Sequence, residues 1–380
     1  MVDLSTRLCG IDLRNPFVLA SGPLSFDGAA LLRAHRAGAG AVVTKTICEE
    51  AAINPIPHIA KLNSSLLNCE LWSDLGPNDW LEREIPIAKE GGAVVIASVG
   101  MKPPNIAAYV GLLASSGADA IEVCSYDSRA MLPMLRAAAQ STNLPILVKV
   151  SANWPNVKDV AVACLQAGAS GITAIDSVGP TLRFDIEKRA PLLASGVGWL
   201  TGSAILPFSL RVVADIAMAV ESGIVGTGGI YRVDDCVEML MAGATAIGIC
   251  SLPMVSGLQV FAGLVGALSD RLAELGYTRI QDAIGAGLPA LKKCLSTPFM
   301  TPSSREVTPH EFFSFDGDLC VDCGACIRVC SYQARRAPDQ IHDDRCRLCG
   351  LCASTCPTGA LCLSREAPPT TANEGQDCTS

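Results

Sequence analysis

The residues of this chain with the clearest chemical potential are cysteines near its C-terminal end. Eight of the 18 cysteines form two runs with the spacing C-x2-C-x2-C-x3-C: Cys320, Cys323, Cys326 and Cys330, then Cys346, Cys349, Cys352 and Cys356. In this spacing three thiolates of one loop hold a [4Fe–4S] cluster, and the fourth cysteine ligates the other cluster. The sequence predicts one cluster on Cys320, Cys323, Cys326 and Cys356, and a second on Cys346, Cys349, Cys352 and Cys330.

A structural zinc site and a disulfide framework are the alternative uses of these cysteines. Zinc ribbons use two separated pairs, whereas three cysteines in one loop suit the corner of a cubane better. Disulfide frameworks are typical of short secreted chains, but this chain has 380 residues and begins MVDLSTRLCG, which lacks the apolar stretch of a signal peptide. We therefore favour iron–sulfur clusters and expect a cytoplasmic protein.

Eight short apolar runs lie in the first two thirds of the chain. They are continuous rather than alternating, which is typical of strands covered on both faces in parallel α/β sheets. The predicted strands are 17–21, 41–46, 94–99, 120–125, 146–151, 171–176, 224–229 and 246–251. Helix-length stretches such as NIAAYVGLLASSG and VDDCVEMLMAG separate them and end in glycine.

Eight β/α units over about 250 residues predict a TIM (β/α)8 barrel, in which the chemistry lies at the C-terminal ends of the strands. An open doubly wound sheet is the alternative, because it also alternates strands and helices. After residue 295 the composition becomes rich in Pro, Ser and Thr. We expect an α/β barrel over 1–298, a linker over 299–315, a two-[4Fe–4S] ferredoxin-like domain over 316–362 and a polar, disordered tail over 363–380.

Net charge and hydropathy exclude several classes of function. The formal net charge is −8 and no basic patch stands out, which argues against binding to nucleic acid. No uninterrupted apolar run reaches the roughly 18 residues that a membrane-spanning helix needs. We therefore expect no nucleic-acid partner and no membrane segment.

Polar and charged residues end the predicted strands, where a barrel would place its chemistry. Lys45 and Lys149 lie in apolar strands and need a counter-charge, because burial of an unpaired ammonium group is costly. A bound anion would supply this charge, and a structural pair with Asp or Glu is the alternative. The turn IVGTGGI and the CS that ends the eighth strand lie where barrels bind phosphate. Together with clusters that deliver single electrons, these features predict FMN.

The chain resembles the dihydroorotate dehydrogenase family, and most closely the flavin/iron–sulfur part of dihydropyrimidine dehydrogenases. The similar blocks are NPFVLASGP, VVTKT, LLNCELWS, ILVKVSAN, TAIDSVG, TGSAILPFSLR, VGTGGI and ICS, followed by the two-cluster module. The resemblance covers roughly residues 4 to 362. It implies that Lys149 neutralises reduced flavin. FMN contacts are implied for Ala20, Ser21, Lys45, Thr46, Asn68, Lys149, Gly202, Ser203, Gly228, Gly229, Cys250 and Ser251, and substrate contacts for Asn68, Glu70, Asp176 and Ser177.

The chain departs from the family pattern after its fourth strand. Relatives commonly have Asn-Leu-Ser-Cys-Pro there, and its Cys is the acid/base; this chain reads EVCSYDSRAM. Without gaps, Asp127 replaces that Cys, Tyr126 takes the Ser position and Cys124 replaces the Asn. We expect Asp127 to be the proton-transfer residue, because a partly buried carboxyl can donate a proton near neutral pH, with Cys124 as the second candidate.

These features predict an FMN- and iron–sulfur-dependent oxidoreductase that reduces or forms a polarised C=C bond in a small pyrimidine-like ring. The alternatives are a dihydroorotate dehydrogenase catalytic subunit of pyrimidine synthesis, and an electron-transfer subunit without turnover of its own. No G-x-G-x-x-G fingerprint follows a strand, so we expect a separate NAD(P)H-linked FAD subunit or a ferredoxin as electron partner. Residues 47–66 are expected to cover the pocket. Homo-oligomer formation is left open.

Overall fold

Eight parallel strands close into a barrel in the computed structural model, which describes residues 2–296 and 309–364. The strands are β1 (Phe17–Leu19), β2 (Ala41–Val43), β3 (Val95–Val99), β4 (Ala120–Cys124), β5 (Ile146–Val150), β6 (Gly171–Ala174), β7 (Gly223–Thr227) and β8 (Ala246–Ile249). Strand β8 pairs with β1, with Ile247 opposite Phe17, and this pairing closes the sheet. The predicted TIM barrel is confirmed, and the open doubly wound alternative is wrong.

Helices follow the strands and cover the outside of the barrel. The sequence predicts them well because their apolar residues recur at the helical period and pack on the sheet. The helices are Gly28–Arg36, Pro77–Asp79, Ile85–Glu90, Pro103–Ser115, Met131–Ala139, Val157–Gln166, Leu206–Ala219, Val233–Met241, Ser251–Ser256, Val260–Glu274, Ile280–Ala283 and Leu288–Ser296, with a π-helical turn at Trp80–Glu84. Short 3-10 turns occur at Pro23–Ser25, Ser128–Ala130 and Ser203–Ile205.

Three further sheets accompany the barrel. An N-terminal hairpin, Thr6–Leu8 with Ile11–Leu13, buries Leu8 and Leu13 against apolar residues of the barrel strands. An antiparallel sheet joins the strands Val178–Thr181, Gly198–Gly202, Ser65–Asn68 and Ile59–Leu62, in this order. The predicted cover at 47–66 is thus partly a sheet, whose pairing with Gly198–Gly202 depends on a segment far away in sequence. A small hairpin, Phe184–Asp185 with Ala190–Pro191, completes the unit.

The chain divides into two compact units, Met1–Thr297 and Pro298–Ser380. The second unit contains the strand pairs Phe313–Phe315 with Leu361–Leu363 and Arg335–Ala337 with Gln340–Ile341. Its helices are Ala325–Arg328 and Leu351–Ser354, preceded by the 3-10 turn Pro309–Phe312. Most of the predicted linker and of the predicted tail lies outside the described residues.

A helix that crosses a bilayer needs about 20 predominantly apolar residues. Within residues 2–296 and 309–364, none of the helices is both long and apolar enough to cross a membrane.

Candidate active site

A cavity of about 620 Å³, part of it open to solvent, lies at the C-terminal ends of the barrel strands, where barrels of this kind place their sites. The predicted residues that line it are Ala20, Ser21, Asn68, Lys149, Asp176, Ser177, Gly228, Gly229, Cys250 and Ser251. A second cavity, of about 440 Å³, shares Ser21, Asn68, Lys149, Asp176 and Ser177 with the first, and adds Lys45, Thr46, Glu70 and Cys124. The structure therefore brings most of the predicted site residues together in one connected place.

The turn after β7 has the form of an anion cradle. Gly228 and Gly229 both have positive φ angles, 105° and 96°. Within the described residues, no hydrogen bond is formed by the backbone N–H groups of Gly228, Gly229 or Ile230. A Cβ on Gly229 would lie 2.4 Å from Cα of Leu206, so the turn requires glycine for space as well as for conformation. Successive free N–H groups in such a turn fit a phosphate group.

Lys149 supplies a buried positive charge at the end of β5. Its Nζ lies 3.4 Å from Oδ1 of Asp176, and the side chain is 9% exposed. Burial by itself would lower the pKa of Lys149, but the nearby carboxylates of Asp176 and Glu122 outweigh burial and raise that pKa. The lysine therefore stays charged at neutral pH. A buried cation of this kind fits the predicted role beside a reduced, anionic flavin.

The second lysine is neutralised by carboxylates of the chain itself. Nζ of Lys45 donates a hydrogen bond of 2.8 Å to Oε1 of Glu70, and it lies 3.6 Å from Oδ1 of Asp74. The Lys45 and Glu70 side chains are 5% and 9% exposed, so their mutual attraction is little screened by solvent. The alternative arrangement, a structural Lys–Asp/Glu pair, is thus observed for Lys45 with Glu70, and also for Lys149 with Asp176.

A chain of hydroxyl groups connects the cavity with a buried carboxyl group. Ser21 Oγ lies 3.1 Å from Thr46 Oγ1, which lies 3.1 Å from Ser98 Oγ. Ser98 Oγ donates to Glu122 Oε1 at 2.9 Å, and Thr173 Oγ1 donates to Glu122 Oε2 at 2.7 Å. Since β4 and β6 are not neighbours, the contact between Glu122 and Thr173 crosses the barrel interior.

Sequence reasoning missed the members of this hydroxyl chain that lie deep in the barrel. Glu122, 2% exposed, stands within the apolar run AIEVC, and a carboxylate inside a predicted central strand was the available signal. Its partners Ser98 and Thr173 lie on other strands and gave no signal of their own.

Three aromatic rings stack at the edge of the second cavity. The ring centroids of Trp72 and Tyr126 are 5.5 Å apart, and those of Tyr126 and Trp199 are 5.6 Å apart. Tyr126 and Trp72 line the cavity, and the backbone carbonyl of Tyr126 accepts a hydrogen bond from Trp154 Nε1. The ring of Tyr126 is therefore held at this edge by its stacking contacts with Trp72 and Trp199.

Asp127 is placed differently from the sequence-based expectation. It lines neither cavity, and its carboxylate accepts hydrogen bonds from Nε and Nη2 of Arg129 at 3.0 Å each. These bonds hold the pKa of the solvent-exposed carboxyl below its usual range. A carboxyl group with a lowered pKa is a poor proton donor at neutral pH, so the structure gives Asp127 no geometric or electrostatic support as the acid.

Cys124, the second candidate, does line the site. Its Sγ lies 3.9 Å from Oδ2 of Asp176, and the side chain is buried. Burial, followed by the nearby carboxylates, raises the pKa of its thiol, so the group remains protonated. The predicted FMN contacts Gly202 and Ser203 are not among the cavity residues, although their neighbours Thr201 and Ile205 are. Ser203 is instead hydrogen-bonded through Oγ to Ser64.

The cysteines of the second unit separate into the two predicted sets. One cavity of about 330 Å³ is lined by Cys320, Cys323, Cys326 and Cys356. The other, also of about 330 Å³, is lined by Cys330, Cys346, Cys349 and Cys352. Within the described residues, no three His, Cys, Asp or Glu side chains are close enough together to hold a single metal ion. Four thiols around one cavity, without a group of three that could hold a single ion, fit a multi-atom cluster better than mononuclear zinc.

Comparison with known proteins agrees with this geometry. The family model described as dihydroorotate dehydrogenase matches residues 3–272, and the model of a 4Fe-4S dicluster domain matches residues 319–360. The chain is 31% identical over 299 residues to "Dihydroorotate dehydrogenase B (NAD(+)), catalytic subunit" of Pyrococcus abyssi, an alignment that covers 75% of this chain and 99% of the relative. It is 32% identical over 303 residues to the protein of that name from Thermoplasma acidophilum, with coverage of 76% and 100%.

These findings confirm the predicted fold class, the 4Fe-4S domain and the enzyme class, a flavin-dependent oxidoreductase acting on CH–CH bonds. The narrower resemblance to dihydropyrimidine dehydrogenases stays a prediction. The family model covers well over half of the chain, and the relatives align over nearly their full length. The chain therefore belongs to the dihydroorotate dehydrogenase family.

Proposed function

We propose that the chain is the catalytic subunit of an enzyme that uses FMN and iron–sulfur clusters to interconvert dihydroorotate and orotate. The name shared by its relatives supports this substrate pair. The observation that carries the proposal is the connected pair of cavities. One contains the anion cradle, the other contains paired charges and a stacked aromatic group, and Lys149 and Asp176 lie in both.

The chain's residues have distinct roles in this proposal. The backbone of Gly228 and Gly229 holds the FMN phosphate, and the charged Lys149 stabilises negative charge on the ring. FMN bound here would supply both one-electron and two-electron chemistry. Asn68 and Ser177 line both cavities, and their polar groups orient a substrate ring there.

The second unit provides a path for single electrons. We assign Cys320, Cys323, Cys326 and Cys356 to one [4Fe–4S] cluster, and Cys330, Cys346, Cys349 and Cys352 to a second, because each set lines its own cavity. About three quarters of this chain aligns with almost the whole length of each relative, so this chain is longer than these relatives. A separate electron-transfer subunit or a ferredoxin completes the system.

A neutral dihydropyrimidine ring is the second candidate substrate, and one observation favours it. We assign the second cavity to the substrate and call it the substrate cavity. Lys45 and Lys149 line it, and each is paired with a carboxylate of the chain. The carboxylate of dihydroorotate would therefore meet no unpaired lysine there. Glu70, in contrast, can accept a hydrogen bond from a ring N–H group, which suits a ring without a carboxylate.

We assign proton transfer to Tyr126 rather than to Asp127. Tyr126 lines the second cavity beside Cys124 and Asp176, whereas Asp127 lines neither cavity, although both side chains are about half exposed. Desolvation of the Tyr126 hydroxyl and the negative charge of Asp176 raise its pKa, so the phenol keeps its proton throughout the physiological range. A positioned phenol can donate that proton to carbon as electrons arrive from the opposite side.

The proposed function is tested by anaerobic turnover of the purified chain with an artificial electron carrier. We expect oxidation of dihydroorotate, or reduction of orotate, to exceed turnover of dihydrouracil and dihydrothymine. The reverse order would overturn the first substrate assignment and support the neutral ring. If protein that retains FMN turns over none of these rings, both substrate assignments are overturned. The predicted electron-transfer subunit without turnover of its own is then the remaining interpretation.

The phosphate cradle gives a prediction that does not depend on the substrate. Gly229→Ala is expected to weaken FMN binding at least tenfold, because the new Cβ would overlap Leu206 and the residue would keep an unfavourable positive φ. Flavin fluorescence quenching on flavin-free protein measures the affinity. Gly266→Ala is the matched control, since a Cβ at this helical position meets no atom within 4 Å. FMN affinity in Gly229→Ala equal to that of the control would contradict the cradle.

A further inference from the structure

One buried arginine in the second unit has nitrogen atoms without a partner. Arg335 is 5% exposed, and its Nε and Nη2 are buried with no hydrogen-bond acceptor among the described residues. Its Nη1 donates to the carbonyl of Pro338 at 2.7 Å, and its Cζ lies 4.7 Å from the centroid of the Phe313 ring. A buried guanidinium is costly unless its N–H groups are satisfied, so this one points to an acceptor that is not part of the chain.

The two cavities lined by cysteines differ in the charge of their other lining residues. Arg335 lines the cavity of Cys330, Cys346, Cys349 and Cys352. The cavity of Cys320, Cys323, Cys326 and Cys356 has no charged side chain in its lining. Arg347 also lines the first cavity, but its side chain is exposed and donates to backbone carbonyls, which leaves its charge screened by water. The asymmetry thus rests on one buried cation, which lines only the first of these cavities, although its charge also reaches Cys326 of the other set.

We propose that Arg335 raises the reduction potential of the cluster held by Cys330, Cys346, Cys349 and Cys352 above that of its neighbour. This rests on the ligand sets proposed above. Reduction adds one negative charge to a cluster, and a buried positive charge beside it stabilises the reduced form more than the oxidised form. Hydrogen bonds to cluster sulfur act in the same direction. The free Nε–H and Nη2–H groups of Arg335 supply such donors.

Backbone donors act in the same direction as the guanidinium. Cys330 Sγ accepts a hydrogen bond from the Ala334 N–H at 3.2 Å, and Cys346 Sγ accepts one from the Leu348 N–H at 3.4 Å. A test of Arg335 must therefore change the guanidinium and leave these backbone donors in place.

The test is a redox titration of the full-length protein, loaded with both clusters and followed by electron paramagnetic resonance. In Arg335→Met, we expect the equilibrium constant for one-electron reduction of the higher-potential cluster to fall about tenfold, which is about 59 mV. The gap between the two midpoint potentials then narrows. Arg336→Gln is the matched control, because it removes an exposed charge from the next residue of the same strand and should leave the gap unchanged.

The outcomes separate this proposal from the proposed function. An unchanged gap in Arg335→Met, or an equal change in the Arg336→Gln control, would overturn the role of Arg335. If Arg335→Met fails to assemble clusters, Arg335→Gln is titrated in its place with the same expectation. Cluster loss in both variants would make Arg335 purely structural and would also overturn the proposal. Wild-type protein without two iron–sulfur signals would instead overturn the ligand sets themselves.

Discussion

Tyr126→Phe is expected to lower turnover by about 10²- to 10⁴-fold, the usual range for loss of a general acid. The substitution removes only the hydroxyl group, so the ring stack with Trp72 and Trp199 is retained. FMN binding and the rate at which the electron donor reduces FMN should therefore stay at wild-type values. Stopped-flow measurement of the two half-reactions shows whether only the half-reaction that includes substrate protonation is slowed.

Asp127→Asn is the matched control for this experiment. Asp127 is the adjacent residue, but its carboxylate is exposed and bound to Arg129 outside both cavities. We expect the control to keep wild-type turnover. Cys124→Ser is the third arm, because the buried Cys124 thiol also lines the cavity. If Tyr126→Phe keeps full turnover and Cys124→Ser loses it, the acid role belongs to Cys124. If Asp127→Asn loses turnover, Asp127 is the proton-transfer residue, as the sequence predicted.

The barrel could be predicted from the sequence because its signals are local. Each strand is a continuous apolar run buried on both faces, as in β3, β4 and β5, where every residue is buried. The glycine-rich turn after β7 and the cysteine spacings are equally local. These patterns involve residues that are close in sequence, so a single amino-acid sequence is enough to recognise them.

Some placements in the site depend on side-chain contacts that the sequence alone does not specify. Asp127 was chosen by its position in a gapless alignment, yet Arg129, two residues later, turns its carboxylate into a surface ion pair. Glu70 was recognised as a site residue, but its bond to Lys45 depends on the sheet that joins Ser65–Asn68 to Gly198–Gly202. Strand pairing across such separations is set by tertiary packing rather than by local preference.

Glu70→Gln is expected to change the substrate preference of the enzyme. The substitution keeps the size of the side chain but leaves Lys45 Nζ with only Asp74 as a charged partner, at 3.6 Å. The freed positive charge can then bind the carboxylate of dihydroorotate, and a charge-assisted hydrogen bond of this kind is worth about 1.5–3 kcal/mol. We therefore expect kcat/KM for dihydroorotate relative to dihydrouracil to rise by about ten- to a hundredfold, measured with both substrates on the same preparation.

The control for Glu70→Gln is Asp74→Asn, which removes the other carboxylate near Lys45. Asp74 is half-exposed and 3.6 Å away, so water screens its interaction, and its loss should change the substrate ratio little. An unchanged ratio in Glu70→Gln would mean that Lys45 does not meet the substrate carboxylate, and an equal change in both variants would mean that net charge alone decides the preference. If only Glu70→Gln changes the substrate ratio, the cause is the short, buried ion pair between Lys45 and Glu70. Such a pair can keep a lysine from binding a substrate anion in the same cavity, whereas a screened contact cannot.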